Sequence, residues 1–453
     1  MKNQKSSLFF LRNSVYLLLT ADVRLILAER FGNPIRKGEF TGMKILLIVN
    51  TVLAFSFALC YLYQFVFLVM AYVGRQRRFP DAPPKRLAIL IPARNEENVI
   101  GKLLASLANQ DYPKESYKIF AVADNCTDNT AEVARSGGAL VYERENLTER
   151  GKGYALDYLI KCVERDWGAD FFDGYVVFDA DNIAEPNYLT EMNKVFSAGY
   201  DVVTSYRNAS NYGEGWRAGG QGMFFLRDSR VLNVARMKAG TNTYVMGTGF
   251  LFSRELCKEN RGWPFHLLTE DGEFTMDNVV KGVKTGYCEA AMFYDEQATE
   301  RRVCWSQRLR WCKGGIQIWK KYRGALLGGL FSRRFLSFWD MIMSFNAAYF
   351  LTMTAVITNL VFDVVLIASG GVDIPRLLCA QLWLAVMAYL MLLTFSLAVT
   401  LSEWKNLRAS GFKKILYAFT FPVYLFTFVP AAFVALFKKV EWKTTAHGGK
   451  TKK

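Results

Sequence analysis

The sequence predicts an α/β domain with a mostly parallel, doubly wound sheet, inserted between transmembrane α-helices. Three observations predict it. Residues 45–73, 341–362, 377–402 and 415–437 are nearly free of charge, and each is around 20 or more residues long, enough to cross a hydrocarbon core. The stretch 74–337 is instead rich in charges and glycines. Within that stretch, short apolar runs alternate with segments of helical spacing, the pattern of strands and crossover helices.

The elements follow in order. Residues 1–42 form an N-terminal segment. Its apolar side chains are interrupted by Arg12, Asp22, Arg24 and Glu29, which suits an amphipathic helix lying in the membrane interface. No small-residue cleavage site follows its short apolar core, so no removable signal is expected. Residues 43–73 are the first transmembrane helix. Pro80, Pro83 and Pro84 mark a linker. The globular domain is expected over 85–303.

Leu87-Ala88-Ile89-Leu90-Ile91-Pro92 is a continuous apolar run, the mark of a strand buried on both faces. Residues 97–109 have helical spacing. Ile119 to Ala123 is a second strand, ending at Asp124. A helix over 128–136, a strand at Leu140-Val141-Tyr142, a helix over 153–165 and a strand over 175–178 ending at Asp179 follow. In such sheets ligands bind at the carboxyl ends of strands, where Asp124 and Asp179 both sit. Residues 304–335 read as interfacial helices. Residues 338–369 and 376–401 make a transmembrane hairpin with an outer loop at Ser369-Gly370-Gly371. The apolar segment 413–437 contains Pro422 and Pro430 and precedes a basic tail, 438–453. A simple crossing would place that tail outside, against the positive-inside tendency. A bent or re-entrant membrane-embedded segment is preferred.

The 453 residues carry a formal net charge of +15. Lys and Arg gather at Arg75-Gln76-Arg77-Arg78, Lys85-Arg86, Arg333-Arg334 and Lys413-Lys414, as on the cytoplasmic side of a membrane protein. That distribution predicts a multi-pass protein of the cell membrane with a cytosolic domain. No nucleic acid partner is expected, because no recognition motif accompanies the charge. None of the eight cysteines sits in a CxxC pair, so reduced thiols are expected.

Three motifs carry chemistry. Asp179-Ala180-Asp181 follows a strand, and two carboxylates one residue apart suit Mg²⁺ or Mn²⁺ with substrate phosphate. Alone, the pair is weak, since acidic residues often follow strands as turn formers. In Thr269-Glu270-Asp271, Thr269 can cap a helix, and Asp271 can take a proton from an attacking hydroxyl. Glu270 is either part of that chemistry or a satisfied charge at a helix start. Gln307-Arg308-Leu309-Arg310-Trp311 reads as helical. Its arginines suit a diphosphate, and Trp311 suits a sugar face. The competing reading is a basic helix resting on anionic lipid.

With Pro92-Ala93-Arg94-Asn95-Glu96 and Asp124, these motifs occur in an order that resembles the membrane-integrated family 2 glycosyltransferases, which include cellulose, hyaluronan, chitin-oligosaccharide and poly-N-acetylglucosamine synthases. The resemblance covers residues 43–437. It implies a Rossmann-like GT-A fold, a UDP-sugar donor, and inverting transfer. Ala93, Asn95, Glu96 and Asp124 would lie by the nucleoside. Asp179 would bind the nucleotide, and Asp181 with Asp179 the metal. Lys152, Gln307, Arg308 and Arg310 would bind the donor phosphates. Asp271, with Glu270, would be catalytic. Trp311, Thr269, Gly247 and Thr248 would line the acceptor. The segment Tyr244 to Gly249 resembles an acceptor-lining segment of cellulose synthases, without its cysteine. Trp442-Lys443-Thr444 is similar to a gating segment of hyaluronan synthases.

The resulting expectation is a processive synthase adding β-linked hexose (glucose or N-acetylglucosamine) to a growing polysaccharide and passing it through the bilayer. The alternative is a non-processive transferase acting on a lipid or oligosaccharide. A silent scaffold is disfavoured by the intact Asp124, Asp179, Asp181, Asp271 and both arginines. The need for a partner subunit stays open.

Overall fold

The computed structural model describes residues 37–73, 77–368 and 374–441. Most of the predicted N-terminal segment, the outer loop at 369–371, Trp442-Lys443-Thr444 and most of the basic tail lie outside the described residues. The elements run α1 (Lys37–Tyr72), β1 (Leu87–Ala93), α2 (Ile100–Ala108), β2 (Tyr117–Asp124), α3 (Thr130–Ser136), β3 (Leu140–Arg144), α4 (Lys152–Trp167), β4 (Gly174–Val177), β5 (Ile183–Ala184), α5 (Tyr188–Ser197), β6 (Val202–Ala209), α6 (Trp216–Leu226), α7 (Val234–Ala239), β7 (Phe250–Ser253), α8 (Arg254–Asn260), α9 (Glu270–Lys281), β8 (Thr285–Asp295), α10 (Arg301–Gly329), α11 (Phe335–Ile342), α12 (Ala348–Ala368), α13 (Ile374–Ser402), α14 (Gly411–Phe426) and α15 (Phe428–Phe437).

One sheet has the order β3-β2-β1-β4-β7-β6-β8-β5. Strands β1 to β4 pair in parallel, as the alternation of strand and helix predicts. The other half corrects the expected mostly parallel sheet to a mixed one. β7 runs antiparallel to both β4 and β6, and β5 antiparallel to β8, while β6 and β8 are parallel. β7 reverses because the chain returns through it from the helical excursion of α6 and α7.

Side-chain alternation along β1 explains its apolar run. Leu87, Ile89, Ile91 and Ala93 enter one core with Leu103, Leu104 and Leu107 of α2. Ala88 and Leu90 enter the other, with Leu156, Leu159, Ile160 and Val163 of α4. Successive side chains on a strand point to opposite faces, so a strand covered on both must be apolar throughout.

Four helical stretches are long and apolar enough to cross a membrane: Lys44–Tyr72, Ala348–Ala368, Leu377–Ser402 and Gly411–Phe437. Many of their large apolar side chains, such as Phe55, Leu59, Val361 and Leu382, are exposed. The last stretch is broken at Thr427 and contains Pro422. Its side chains Tyr417 and Tyr424 approach Gly219 and Gly220 of α6 so closely that a Cβ on either glycine would clash.

The chain divides into two compact units. Of the described residues, one unit comprises 37–54, 356–368 and 374–383. Inside it Asn50 and Asn359 exchange amide hydrogen bonds of 2.9 and 2.8 Å, and Gln381 donates to Asp363 at 2.9 Å. The other comprises 55–73, 77–355 and 384–441 and holds the whole sheet.

Candidate active site

A cleft opens where β1, β2 and β4 end, the position at which open α/β sheets bind ligands. It gathers residues far apart in sequence. Ala93, Arg94 and Glu96 come from the end of β1, and Asp124 from the end of β2. Lys152 is the first residue of α4. Asp179 and Asp181 follow β4, and Gly247 precedes β7. Thr269, Glu270 and Asp271 open α9, and Gln307, Arg310 and Trp311 sit on α10.

Each end is held by local chemistry. Asp124 is buried and accepts from Arg144 Nη1 at 2.7 Å, a partner that lies directly opposite it on β3. Burial pushes the Asp124 carboxyl up, while Arg144 pulls it down. Lys152 Nζ donates to Asp179 and to the Gly247 carbonyl at 2.6 Å, so one ammonium ties α4 to β4 and to the loop before β7. Gly247 has φ +82°, a left-handed backbone that suits glycine. Thr269 occupies the N-cap position of α9, yet its hydroxyl makes no capping bond. Gly314 of α10 passes so close that a Cβ there would lie 2.2 Å from the Thr269 hydroxyl. Arg310 Nη1 donates to the Leu268 carbonyl at 3.2 Å, which fixes its guanidinium beside the start of α9.

Three residues assigned to binding do not line the cleft. Asn95 has φ +56°, and its side chain accepts from Thr127 N at 2.8 Å, so it shapes the loop after β1. Thr248 is buried. Its hydroxyl bonds Asn182 and accepts from Asp179 N at 2.8 Å, holding the turn that presents Asp179. Arg308 is buried on another side of α10, its guanidinium over the Tyr424 ring at 4.4 Å and Phe428 at 5.5 Å. Helical residues two apart do not share a face, so Arg308 and Arg310 diverge. His266 also lies outside the cleft, its ring edge-on to Tyr154 at 4.2 Å.

Sequence reading missed part of the wall. Arg207, Arg227, Asp228, Asp295 and Gln297 add polar groups. Phe224, Phe225, Tyr349 and Phe428 make one end aromatic, while Phe345 pairs with Tyr244 beside the start of α9. There, Trp311 lies near-parallel to Phe224 and Phe428 at 6.3 and 6.2 Å, and Phe428 stacks on Tyr349 at 4.9 Å.

Asp179 and Asp181 both face the cleft. Hard oxygen ligands of this kind fit Mg²⁺ or Mn²⁺, which also take substrate phosphate and water. Among the described residues no group of three acidic, His or Cys side chains could hold a cation unaided, so phosphate oxygens would complete the shell.

Glu270 and Asp271 are adjacent carboxylates at a helix start. Burial raises the Glu270 carboxyl and Asp271 raises it further, against the pull of Lys152 and Arg310. Burial also raises Asp271. A carboxyl raised in the folded state holds its proton there more tightly than in the unfolded chain. Its contribution is therefore favourable at low pH and is lost as pH rises above the unfolded value of about 4.3. Glu270→Gln should raise the thermal midpoint at pH 8, with the gain shrinking toward pH 4. Scanning calorimetry at the two pH values checks this, and an equal shift at both would contradict it.

A sequence model of the family described as "Glycosyltransferase like family 2" matches residues 83–314. Among curated proteins, "Probable glycosyltransferase YdaM" of Bacillus subtilis is 27% identical over 312 residues, covering 61% of this chain and 67% of its own length. "Beta-monoglucosyldiacylglycerol synthase" of Nostoc sp. is 28% identical over 280 residues, covering 60% and 57%. The chain thus spans about half to two thirds of the length of the curated relatives it matches. The solved structure of mannosyltransferase PcManGT from Pyrobaculum calidifontis, in complex with GDP-Man and Mn²⁺, aligns with a TM-score of 0.59 at 18% identity, covering 88% of this chain and 99% of that one.

Proposed function

The chain belongs to the glycosyltransferase-like family 2, and from its GT-A-like fold and its cleft we propose that it transfers a hexosyl unit from a nucleoside diphosphate sugar to a lipid-borne hydroxyl at a membrane face. The observation that carries this reading is the polarity gradient of the cleft. One end is charged, with Lys152, Asp179, Asp181 and Arg310. The other is rich in aromatic rings, with Arg227 over Phe224 and Arg207 over Phe225, and Tyr349 and Phe428 there belong to apolar helices. A reactive hydroxyl attached to apolar mass suits that end. The Nostoc relative, named for a glucosyldiacylglycerol, supports a lipid acceptor over a growing polymer. The four apolar helices and flanking basic residues support a multi-pass membrane protein with this domain in the cytosol.

In the proposed reaction Asp271 accepts the proton of the acceptor hydroxyl. The freed oxygen attacks the anomeric carbon from the face opposite the diphosphate, so configuration inverts. The bond from that carbon to the diphosphate oxygen breaks, and its electron pair leaves with the nucleoside diphosphate. Arg310 and Lys152 neutralise the charge that develops on the leaving group. Asp179 and Asp181 would hold Mg²⁺ or Mn²⁺, which would supply further charge neutralisation at the diphosphate.

The test incubates the full-length protein in detergent with radiolabelled UDP-glucose, UDP-galactose, UDP-N-acetylglucosamine or GDP-mannose and a bacterial lipid extract, with and without EDTA. The expected result is label in the organic phase from one donor, suppressed by EDTA and restored by Mg²⁺ or Mn²⁺. Label in a high-molecular-weight, ethanol-insoluble product would replace the lipid reading with the polymer one. Full turnover in EDTA would remove the metal from the scheme.

A further inference from the structure

Asp295, the last residue of β8, and Gln297 just beyond it lie in the cleft wall, outside every motif that the sequence singles out. Both are 2% exposed. Asp295 Oδ2 is held by Arg207, with Nε at 2.8 Å, whereas Asp295 Oδ1 has no hydrogen-bond partner among the described residues. The Gln297 backbone is clamped by Asn211, which donates to its carbonyl and accepts from its N–H, each at 2.9 Å. Its side-chain amide is nevertheless left with both Oε1 and Nε2 unpaired. Buried polar atoms without partners are costly. They are tolerated where a bound molecule supplies the partners.

The chemistry of the three unpaired atoms is specific. A carboxylate oxygen accepts, a carboxamide oxygen accepts, and a carboxamide nitrogen donates. Together they match hydroxyl groups, each of which both donates and accepts. Arg207 does not turn the place into an anion site. Its Nε and Nη2 are committed to Asp295 and its Nη1 donates to the Met246 carbonyl at 2.5 Å, with the guanidinium lying 3.5 Å from the Phe225 ring centroid. Asp295 would repel a carboxylate-bearing sugar. Arg207 also joins this place to the reacting centre. Arg207 Nη1 and Asp271 Oδ2 flank one point, lying 4.0 and 3.5 Å from where a Cβ on Gly247 would be. A pyranose ring whose anomeric carbon sits beside Asp271 would therefore have the Arg207–Asp295 pair as a neighbour, with Gln297 in the same cleft wall, on the side where Phe225 lies.

We propose that Asp295 and Gln297 form the subsite that reads the hydroxyl groups of the donor's neutral hexosyl ring. This rests on the nucleotide-sugar reading of the cleft. The experiment uses full-length protein in detergent, the supported donor from the four-member panel above, UDP-glucuronate, and the variants Gln297→Leu and Asp295→Asn. Gln297→Leu should raise the KM for the sugar donor about tenfold. Inhibition by the free nucleoside diphosphate and the KM for the acceptor should stay within about twofold. Its thermal midpoint without donor should be equal or higher, since two unpaired buried polar atoms are removed. Asp295→Asn should shift donor KM in the same direction, and the wild type should not turn over UDP-glucuronate.

An unchanged donor KM, a loss confined to the acceptor, or efficient turnover of the glucuronate would overturn the subsite while leaving the transferase reading intact. No turnover with any of the four donors would overturn the transferase reading and the subsite with it.

Discussion

Asp271→Asn is expected to lower kcat by about 10²–10⁴, the range contributed by a positioned general base, while inhibition by the free nucleotide is unchanged. The substitution keeps the shape of the side chain and removes its negative charge together with its capacity to take a proton. Asp271 sits in the first turn of α9, where the helix dipole favours a negative charge. Its carboxylate also lies in the field of Lys152, Arg310 and Arg207, which lower it, yet burial wins and raises it above the ordinary aspartate range. The base must be ionised to act, so the acidic limb of the kcat profile should lie higher than for an exposed aspartate and should vanish in the variant. Steady-state rates from pH 5 to 8, with nucleotide inhibition measured in parallel, decide the matter. A matched loss of nucleotide affinity would show that Asp271 organises the donor instead.

The second large effect separates two arginines that look equivalent in sequence. Arg310→Ala should reduce kcat/KM by about 10²–10³, the loss seen when one preorganised charge-stabilising group is removed, with little change in thermal stability. Arg308→Met should behave in the opposite way. Arg308 is buried against Tyr424 and Phe428, and its Nε and Nη2 have no hydrogen-bond partner among the described residues. Replacing a buried charge with an apolar chain of similar volume is often neutral or stabilising. Turnover should therefore change little and the midpoint should hold or rise. Equal kinetic damage from both substitutions would mean that Arg308 also reaches the diphosphate.

That pair shows what the sequence could and could not convey. Helical geometry was a usable signal for separating Arg308 from Arg310, since a step of two residues turns a helix by more than half a circle. Attraction to a doubly charged ligand obscured it. The edge strand β3 showed only the short run Leu140-Val141-Tyr142, whereas strands β1, β2 and β4 were legible because burial on both faces forces continuous apolar runs. β7 was not, because Phe250-Leu251-Phe252-Ser253 carries no mark of which strands it joins, and its antiparallel place between β4 and β6 is a tertiary fact. The motif residues of the cleft were visible through their spacing. Arg207, Asp295 and Gln297 were not, since isolated polar residues near strand ends look like ordinary turn chemistry. Phe428 fell within the apolar segment 413–437 and Phe224 and Phe225 carried no motif, so the ring cluster around Trp311 emerges only in the fold.

The glycine pair on α6 has a bearing on how this enzyme can be handled. Because Gly219 and Gly220 let Tyr417 and Tyr424 settle directly on the α6 backbone, the last apolar helices are a wall of the cleft as much as an anchor. Phe428 belongs at once to α15 and to the aromatic end where Trp311 lies. Catalytic head and hydrophobic tail are thus a single machined part. Trimming the chain before Gly411 to gain solubility would open the cleft along its aromatic end and leave α6 with a bare stripe of backbone. α14 and α15, apolar enough to cross a membrane, are thus the same helices that shape the site.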